Sequence, residues 1–238
     1  MTRISSPHNH RLQSLRRLAA ARERKRSGRF FAEGEDLVGA AQRAGREPLE
    51  GFRLSGSALG AEGFHEVEPA ALRAVSVLAS GTRVIGIYQQ RWSEVVGPLC
   101  VYLHGVGDPG NVGTVLRAAQ AFAASSVALG PGCADPHSPK AVRASMGAIF
   151  AVTLARVDDV RRLPEHRQST SNHRAGGLTL LVGAEREGLP PAVLAACERV
   201  ARIPIASESL NAAMAATVAL YEVTRQPDVP ASSRVRAA

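Results

Sequence analysis

Hydrophobic residues recur along this chain at two spacings, one typical of helices and one typical of strands. Near the start, a leucine recurs every third residue from Leu12 to Leu18, which predicts a helix over residues 8–26. The stretch "RFFAEGEDLVGAAQRAG" predicts a short strand leading into a helix that ends at Gly45. Strands are expected for "LEGFRLS" and "TRVIGIYQQ", with the helical stretch "EPAALRAVSVLAS" between them. Residues 1–90 are therefore predicted to form a small α/β domain.

The second part of the chain alternates between strands and helices more regularly. It follows a predicted linker over 91–98, "RWSEVVGP", which ends in a Gly-Pro pair. The expected strands are 99–104, 126–130, 149–154, 178–183 and 201–205, and the expected helices are 112–124, 138–146, 190–197 and 209–225. Such alternation predicts a mostly parallel sheet covered by helices, in a second domain over 99–227. We expect the polar stretch 166–177 to be an exposed loop and 228–238 to be a disordered tail.

Composition narrows the class of protein. At 238 residues the chain is long enough for one large domain or two modest ones with a hydrophobic core. It opens without a secretory pattern, and none of its apolar runs approaches the ~20 residues of a membrane span. Its three cysteines are odd in number and widely spaced, which favours neither a disulfide framework nor a metal site. We therefore expect a cytoplasmic protein with no membrane partner and no bound metal.

Positive charge is concentrated near the start of the chain. Residues 11–29 hold eight basic side chains against one glutamate, within a net charge of +8 for the whole chain. Such a cluster is typical of a surface that binds nucleic-acid phosphates. A solvated helix in an arginine-rich protein is the alternative, since arginine outnumbers lysine 27 to 2. The concentration of the charge favours nucleic acid, and the predicted contacts are Arg16, Arg17, Arg22, Arg24, Lys25, Arg26 and Arg29.

A glycine pattern follows the first strand of the second domain. The stretch "LHGVGDPG" contains Gly105-x-Gly107-x-x-Gly110 between an apolar run and a helical pattern, as in dinucleotide-binding folds. Such a fold also needs an acidic residue at the end of the next strand, where it holds the ribose hydroxyls. Here that strand ends in "GPG", and the nearest carboxylate is Asp135, beyond a turn. The pattern therefore does not predict a dinucleotide site.

Three segments together resemble those of a known family. They are "DPGNVGTVLRAAQAF" (108–122, the first motif), "LLVGAEREGLPPAV" (180–193, the second motif) and "RIPIASESLNAAMAATVALYEVTRQ" (202–226, the third motif). In order and spacing they are similar to the three motifs of the SpoU family of RNA ribose methyltransferases, in the SPOUT superfamily. The stretch "SPKAVRASMGAIF" (138–150) resembles the segment between the first two motifs. The basic start of the chain resembles the RNA-binding domain that many members carry.

The resemblance implies a fold, a cofactor and a partner. The catalytic domain of the family is an α/β fold with a mostly parallel sheet, whose C-terminal part threads a loop to form a trefoil knot. Its members bind S-adenosylmethionine in the knotted loops and work as homodimers. The reaction implied here is 2′-O-ribose methylation of RNA, and the separate basic domain favours ribosomal RNA. The alternatives are a tRNA 2′-O-methyltransferase and a non-catalytic RNA-binding factor on the same scaffold.

The resemblance also implies five catalytic residues: Asn111, Arg117, Glu185, Ser209 and Asn211. Taken alone, Asn111 would be a turn residue, Glu185 an acid at the start of a helix, and Ser209 the N-cap of the last helix. Arg117 would be a surface arginine, whereas the resemblance makes it the residue that meets the phosphate and ribose of the nucleotide. Because arginine keeps its proton, we expect Arg117 to clamp the phosphate and stabilise the alkoxide, with the phosphate as proton acceptor.

The cofactor contacts that the resemblance implies lie in the second and third motifs. They are Leu181, Val182, Gly183, Gly188, Ile203, Ile205, Leu210 and Ala212. Three features depart from the family: Ala184 replaces the usual asparagine, "SLNA" replaces "SLNV", and the loop "ASE" is shorter than usual and lacks a glycine. The shortened loop shapes the expected cofactor pocket, and it motivates the non-catalytic alternative.

Overall fold

The computed structural model describes residues 2–59, 62–78, 81–163, 177–206 and 209–225. Nearly all of the predicted exposed loop over 166–177, and the whole predicted tail over 228–238, lie outside these residues. None of the helices in the described ranges is long and apolar enough to cross a membrane.

Five strands of the first ninety residues form one mixed sheet. They are β1 (Arg3–Ile4), β2 (Arg29–Glu33), β3 (Glu50–Leu54), β4 (His65–Val67) and β5 (Val84–Gln89), in the order β1-β4-β3-β5-β2. Strand β5 runs antiparallel to β2 and β3, and the other pairs are parallel. The accompanying helices are α1 (His10–Arg17), α2 (Ala21–Ser27), α3 (Glu35–Arg43) and α4 (Pro69–Arg73). The strands and the helix predicted before Gly45 are confirmed, whereas the helix predicted for "EPAALRAVSVLAS" is reduced to α4.

The single helix predicted over 8–26 is wrong, because the chain breaks it into α1 and α2 with a three-residue turn between them. A helix end leaves backbone carbonyl groups without partners. Here the carbonyls of Leu18 and Ala19 accept hydrogen bonds from the guanidinium of Arg24, at 2.9 and 2.7 Å. The buried arginine therefore stabilises the break. The leucines at helical spacing are buried as expected: Leu12, Leu15 and Leu18.

Four parallel strands form the second sheet. They are β6 (Leu99–Leu103), β7 (Ser126–Leu129), β8 (Thr153–Arg156) and β9 (Leu178–Val182), in the order β8-β7-β6-β9. The helices of this part are α5 (Pro109–Ala121), α6 (Pro139–Ala144), α7 (Ala148–Ala151), α8 (Pro191–Leu194) and α9 (Ala212–Thr224), with a 3-10 helix over Val160–Arg162. The prediction of an α/β fold with a mostly parallel sheet is confirmed. The trefoil knot stays a prediction.

Two predicted strands of the second domain need correction. The strand predicted over 149–154 begins only at Thr153, and residues 149–151 belong to α7. A short apolar run is buried in either state, so its pattern does not separate helix from strand. Residues 201–205 form no strand, and four of the five are exposed. Pro204, in the middle of this run, has no N–H group to donate to a sheet.

The order of the second sheet reverses at β6. From β6 the chain moves outward through β7 to β8, and it then returns to place β9 on the other side of β6. Leu103 and Val182 are partners in the register of β6 and β9, so the loops after these two strands leave the sheet side by side. In open parallel sheets, ligands bind outside the carboxyl ends of the strands at such a reversal. The fold therefore indicates a ligand site formed by residues 104–110 and 183–188.

One hydrophobic cluster joins the two sheets. Phe30 and Tyr88 of the first sheet pack on Phe150 of α7, with ring centroids 5.8 and 4.8 Å from that of Phe150. Arg24 crosses the same junction: its Nε donates to Oδ2 of Asp135 at 2.8 Å, and only 4% of its side chain is exposed. Apolar packing and a largely buried ion pair therefore hold the sheets together. The division of the chain into two domains at 91–98 stays a prediction.

Replacing Arg24 with alanine should destabilise the fold. The change leaves Asp135 without its cation and two carbonyl groups without donors, and breaking a fully buried pair typically costs about 3–5 kcal/mol. Because Asp135 is about one-third exposed, we expect a smaller loss, about 2 kcal/mol of the free energy of unfolding in urea denaturation. Lys25→Ala, on the exposed side of the same helix, should change it by less than about 0.5 kcal/mol. Equal stability of the two variants would contradict the role of Arg24 at the junction.

Candidate active site

Residues from two segments build the amino end of α5. Asp108 caps the helix, since its Oδ1 accepts a hydrogen bond from the backbone N–H of Asn111 at 3.0 Å. Pro109 takes the first helical position, where its missing N–H would have no helical partner. The ammonium group of Lys140 in α6 pairs with Asp108 at 2.5 Å and lowers the pKa of that carboxyl. These contacts hold the backbone in place at Asn111 and therefore set the position of its side chain.

The second motif forms a tight loop after β9. Ala184 and Gly188 exchange two backbone hydrogen bonds, of 3.2 and 2.9 Å, and enclose three residues at the tip. Gly183 leaves no room for a side chain, because a Cβ there would lie 2.3 Å from the carbonyl carbon of Gly188. Gly188 itself has a φ of +67°, which glycine adopts without strain. The two glycines therefore set the shape of the loop that carries Glu185.

Asn111 is the centre of a polar cluster that joins all three motifs. Its side-chain N–H donates to the carboxylate of Glu185. Its Oδ1 accepts a hydrogen bond from Nδ2 of Asn211 at 3.0 Å. Asn211 in turn caps α9, because its Oδ1 accepts from the backbone N–H groups of Ala213 and Met214 at 2.9 and 3.3 Å. We call Asn111, Glu185 and Asn211 the polar cluster; one side chain from each motif takes part in it.

Arg117 stands on the exposed face of α5, less than two turns beyond Asn111. Within the described ranges, no hydrogen bond or ion pair engages its guanidinium. The carboxylate of Glu185 contacts Asn111 instead of Arg117. The guanidinium is therefore available to an anionic ligand, such as a phosphate, that approaches this face.

The N-cap of α9 is Asn211, so the prediction that Ser209 caps this helix is wrong. Both residue types cap helices well, and the position of the first turn decides between them. Asn211 reaches two of the first N–H groups of the helix, whereas Ser209 lies exposed two residues earlier. The helix consequently starts three residues later than expected.

The residues expected to contact the cofactor lie on β9, on the loop after it, and around the start of α9. Ile205 keeps 37% of its surface exposed, and Ile203 and Leu210 are partly buried. Residues 207 and 208, within the third motif, lie outside the described part of the chain. The remaining members of the set are Leu181 and Val182 at the end of β9, Gly183 and Gly188 in the loop, and Ala212, which is buried at the start of α9.

Most of the basic residues predicted to contact RNA are exposed: Arg16, Arg17, Arg22, Lys25, Arg26 and Arg29. Arg26 also pairs with Glu23 on the surface of α2, at 2.6 Å. Arg24 is the exception, and its predicted contact with RNA is wrong. Its guanidinium is buried at the junction between the sheets and is already engaged by Asp135 and two carbonyl groups.

Asp108 accepts a hydrogen bond from the backbone of Asn111 and pairs with Lys140, but neither of these two residues is among the site residues predicted from the sequence. A signal for them exists in the sequence, because Asp108 and Ser138 are each followed by proline. A capping residue followed by proline at the first helical position marks a helix start. Ser138 does cap α6, since its side chain accepts a hydrogen bond from the backbone N–H of Ala141. Two adjacent helix starts then bring Lys140 next to Asp108.

Comparison with known proteins gives matches along most of the chain. The model of the SpoU rRNA Methylase family matches residues 98–221. An uncharacterized tRNA/rRNA methyltransferase of Mycobacterium tuberculosis is 32% identical over 74% of this chain and 62% of its own length. The 23S rRNA (guanosine(2553)-2′-O)-methyltransferase RlmP of Bacillus subtilis is 25% identical over 94% of this chain and 99% of its own. The chain spans 50% to 62% of the length of the first curated relatives that it matches.

The fold also has solved counterparts. The crystal structure of an AdoMet-bound rRNA methyltransferase from Sinorhizobium meliloti superposes with a TM-score of 0.81 at 28% sequence identity. The match covers 93% of this chain and 97% of that one, so it includes the first sheet as well as the second.

Asn211 has two contacts that substitution can separate. Asn211→Ala removes the helix cap together with the hydrogen bond to Asn111, and loss of a cap typically costs about 1 kcal/mol. Asn211→Ser keeps a capping oxygen but is too short to donate to Asn111, so it should lose only a few tenths of a kcal/mol. Urea denaturation tests the stabilities, and the side-chain amide signals of Asn111 in NMR spectra should shift in both variants. Unchanged Asn111 signals in Asn211→Ser would show that the bridge between the motifs does not form.

Proposed function

Because the chain belongs to the SpoU rRNA methylase family, we propose that it transfers the methyl group of S-adenosylmethionine to a ribose 2′-hydroxyl of RNA. The observation that carries this proposal is the polar cluster at the reversal point of the second sheet. It joins one residue from each of three distant motifs, and one of them, Asn111, lies on the helix that also carries Arg117. This is the kind of place at which parallel sheets bind their ligands.

The residues around this edge fit S-adenosylmethionine. Bound there, the cofactor supplies a methyl group activated by a sulfonium. A Cβ built on Gly188 would meet nothing within 4 Å, so the loop after β9 has open space beside its backbone. Ile203, Ile205 and Leu210 add apolar surface that is not fully buried. Backbone polar groups of a glycine loop beside apolar side chains suit an adenine ring, which needs both edge hydrogen bonds and flat apolar contact.

The side chains of this chain would orient the RNA and stabilise charge. Arg117 holds the phosphate next to the target ribose and stabilises the negative charge that develops on the 2′-oxygen. It does not act as a base, because arginine keeps its proton in proteins. The hydroxyl proton passes to a phosphate oxygen. The polar cluster keeps the three motifs in fixed relation and would thereby hold the hydroxyl of a bound RNA in position for transfer; such positioning supplies much of the rate. Ser209 stays a proposed hydroxyl of this site.

The substrate class that we propose is ribosomal RNA. Residues 1–90 would act as the RNA-binding domain, through the six exposed basic residues of α1, α2 and the start of β2. The relative from Bacillus subtilis, matched along nearly its whole length, is named for a 23S rRNA 2′-O-methylation, and this supports the assignment. Such a substrate places the protein in the cytoplasm. A tRNA substrate is the second candidate, because the relative from Mycobacterium tuberculosis carries the joint name tRNA/rRNA methyltransferase.

We also propose that the protein works as a homodimer. The outer face of α9 exposes Met214, Val218 and Tyr221, which recur at helical spacing and keep 59%, 44% and 50% of their surface exposed. The opposite face of the helix packs on α5 through alanines and Leu220. An apolar stripe of this kind on a surface helix is typical of an interface. A second copy of the chain is the occupant that we propose.

Arg117→Ala should separate methyl transfer from binding. If the guanidinium acts on the developing alkoxide, its loss should lower the single-turnover rate at saturating RNA and cofactor by roughly 10²-fold or more. Gln120→Ala, on the exposed face of the same helix one turn further on, is the matched control and should transfer at the wild-type rate. The readout is transfer of labelled methyl from S-adenosylmethionine to ribosomal RNA.

Calorimetry without RNA completes this experiment. S-adenosylmethionine should bind the wild type and Arg117→Ala with similar heat, and NAD should not bind. A near-wild-type rate for Arg117→Ala would overturn the assignment of the first motif. No binding of S-adenosylmethionine by the folded wild type would instead favour the non-catalytic RNA-binding factor that the shortened third-motif loop suggests.

A single charge should break the proposed dimer. Val218→Glu places a carboxylate in the middle of the apolar stripe, where it would lose its hydration on association. Sedimentation at micromolar concentration should show a dimer for the wild type and a monomer for this variant. Val200→Glu, at a valine that is 75% exposed elsewhere, is the control and should stay dimeric. A wild-type protein that sediments as a monomer would refute the proposed assembly.

A further inference from the structure

A cavity of about 210 Å³ lies at the junction of the two sheets and shares no residue with the polar cluster. It opens where the segment after β5 passes the amino end of β8. Its walls come from both halves of the chain: Phe30 of β2, Arg46 after α3, Arg91 and Ser93 of the predicted linker, His137, and the stretch 149–154. None of the roles assigned so far uses this cavity.

Two guanidinium groups line the cavity, and none of the described residues that line it is acidic. The Nη2 atom of Arg46 donates to the carbonyl of Gln89 at 3.3 Å, which directs this side chain along the end of β5. Burial and the nearby positive charge of Arg91 lower the pKa of Arg46. Like charges that approach each other without a carboxylate between them repel. An oxyanion bound between two guanidinium groups relieves this repulsion, and arginine suits phosphate for that purpose.

His137 contributes its ring to the cavity wall. It is only 2% exposed and packs against Phe30 and Trp92, at 4.8 and 5.2 Å between ring centroids. Its buried Nδ1 finds no hydrogen-bond partner among the described residues, and Oδ1 of Asp135 lies 3.8 Å away. Burial lowers the pKa of His137, so the neutral ring has one N–H group to donate. The ring of His137 therefore forms part of the cavity wall, while its Nδ1 is buried on the side of Asp135.

The exposed basic segment at the start of the chain leads to this cavity. Arg29, the last residue of that segment, is the register partner of Gln89, the residue to which Arg46 donates. On the other side, the guanidinium of Arg156 stacks over the ring of Trp92, with its central carbon 4.0 Å from the ring centroid. Positive charge therefore continues from the surface of α2 to the junction of the sheets.

We propose that this cavity binds a phosphate group of the RNA backbone, between Arg46 and Arg91 and with His137 in its wall. The continuity of positive charge with the exposed basic segment favours a long polyanion over a free nucleotide. The proposal rests on the proposed function only in taking RNA as the ligand. It adds an anchoring point at the junction, separate from the polar cluster.

The test is the salt dependence of RNA binding by the full chain. The probe is a short single-stranded RNA of mixed sequence, because phosphate contacts are independent of sequence. Arg46→Gln and Arg91→Gln should each weaken binding roughly tenfold at low salt and reduce the slope of log K against log salt by about 0.7. Arg73→Gln, which removes the same charge from the exposed surface of α4, is the control and should leave the slope unchanged. Arg91 is exposed, so its variant keeps the test valid if Arg46→Gln is destabilised.

Two outcomes would overturn the proposal. One is a wild-type slope in both Arg46→Gln and Arg91→Gln. The other is binding of AMP or inorganic phosphate that depends on these arginines while the affinity for RNA does not, which would identify a free nucleotide or anion as the ligand. The readout does not involve methyl transfer. A wild-type protein that binds RNA with the expected slopes but transfers no methyl group would refute the proposed function and leave the anchoring site standing.

Discussion

The parallel pairing of β9 with β6 is the contact on which the candidate site depends. It brings the loop after β9 next to the loop after β6, although Asn111 and Glu185 are 74 positions apart along the chain. A shift of the register by one residue would turn the side chains of β9 to the opposite face and carry the second-motif loop out of reach. Hydrophobic residues on both faces of these strands bury the sheet, and the position of the sheet determines where polar residues meet at its edge.

Helix capping is the second means by which the fold places polar groups. Asp108 and Asn211 each satisfy the first N–H groups of a helix, and each also determines where Asn111 can make its contacts. An amide at the centre of such a cluster can donate to the carboxylate of one loop while it accepts from the cap of another helix. Substitution of any member therefore changes both the local backbone and the hydrogen bonds of its partners.

The sequence predicts the alternation of elements well, because the apolar spacing that marks each helix or strand is the spacing that the core requires. The resemblance of three segments to the SpoU motifs also predicts that Asn111, Glu185 and Asn211 belong to one site. The failures come from tertiary contacts. The burial of Arg24 depends on the turn between α1 and α2 and on an ion pair with Asp135, more than 100 residues away. The cavity between Arg46 and Arg91 could not be predicted from the sequence either. Neither residue lies in a motif, and it is the first sheet that brings them together.

The shared core between the sheets restricts how the two halves of the chain can move relative to each other. A tethered module could search for a ligand in many orientations and then lose that freedom on binding. Here Phe30, Tyr88 and Phe150 form one packed cluster, so the first sheet stands in a fixed orientation before any ligand arrives. Preorganisation of this kind reduces the entropy that is lost on association. The proposed RNA ligand would then meet a rigid template, and an RNA whose folded shape does not match the spacing of the two proposed contact areas would have to deform in order to bind.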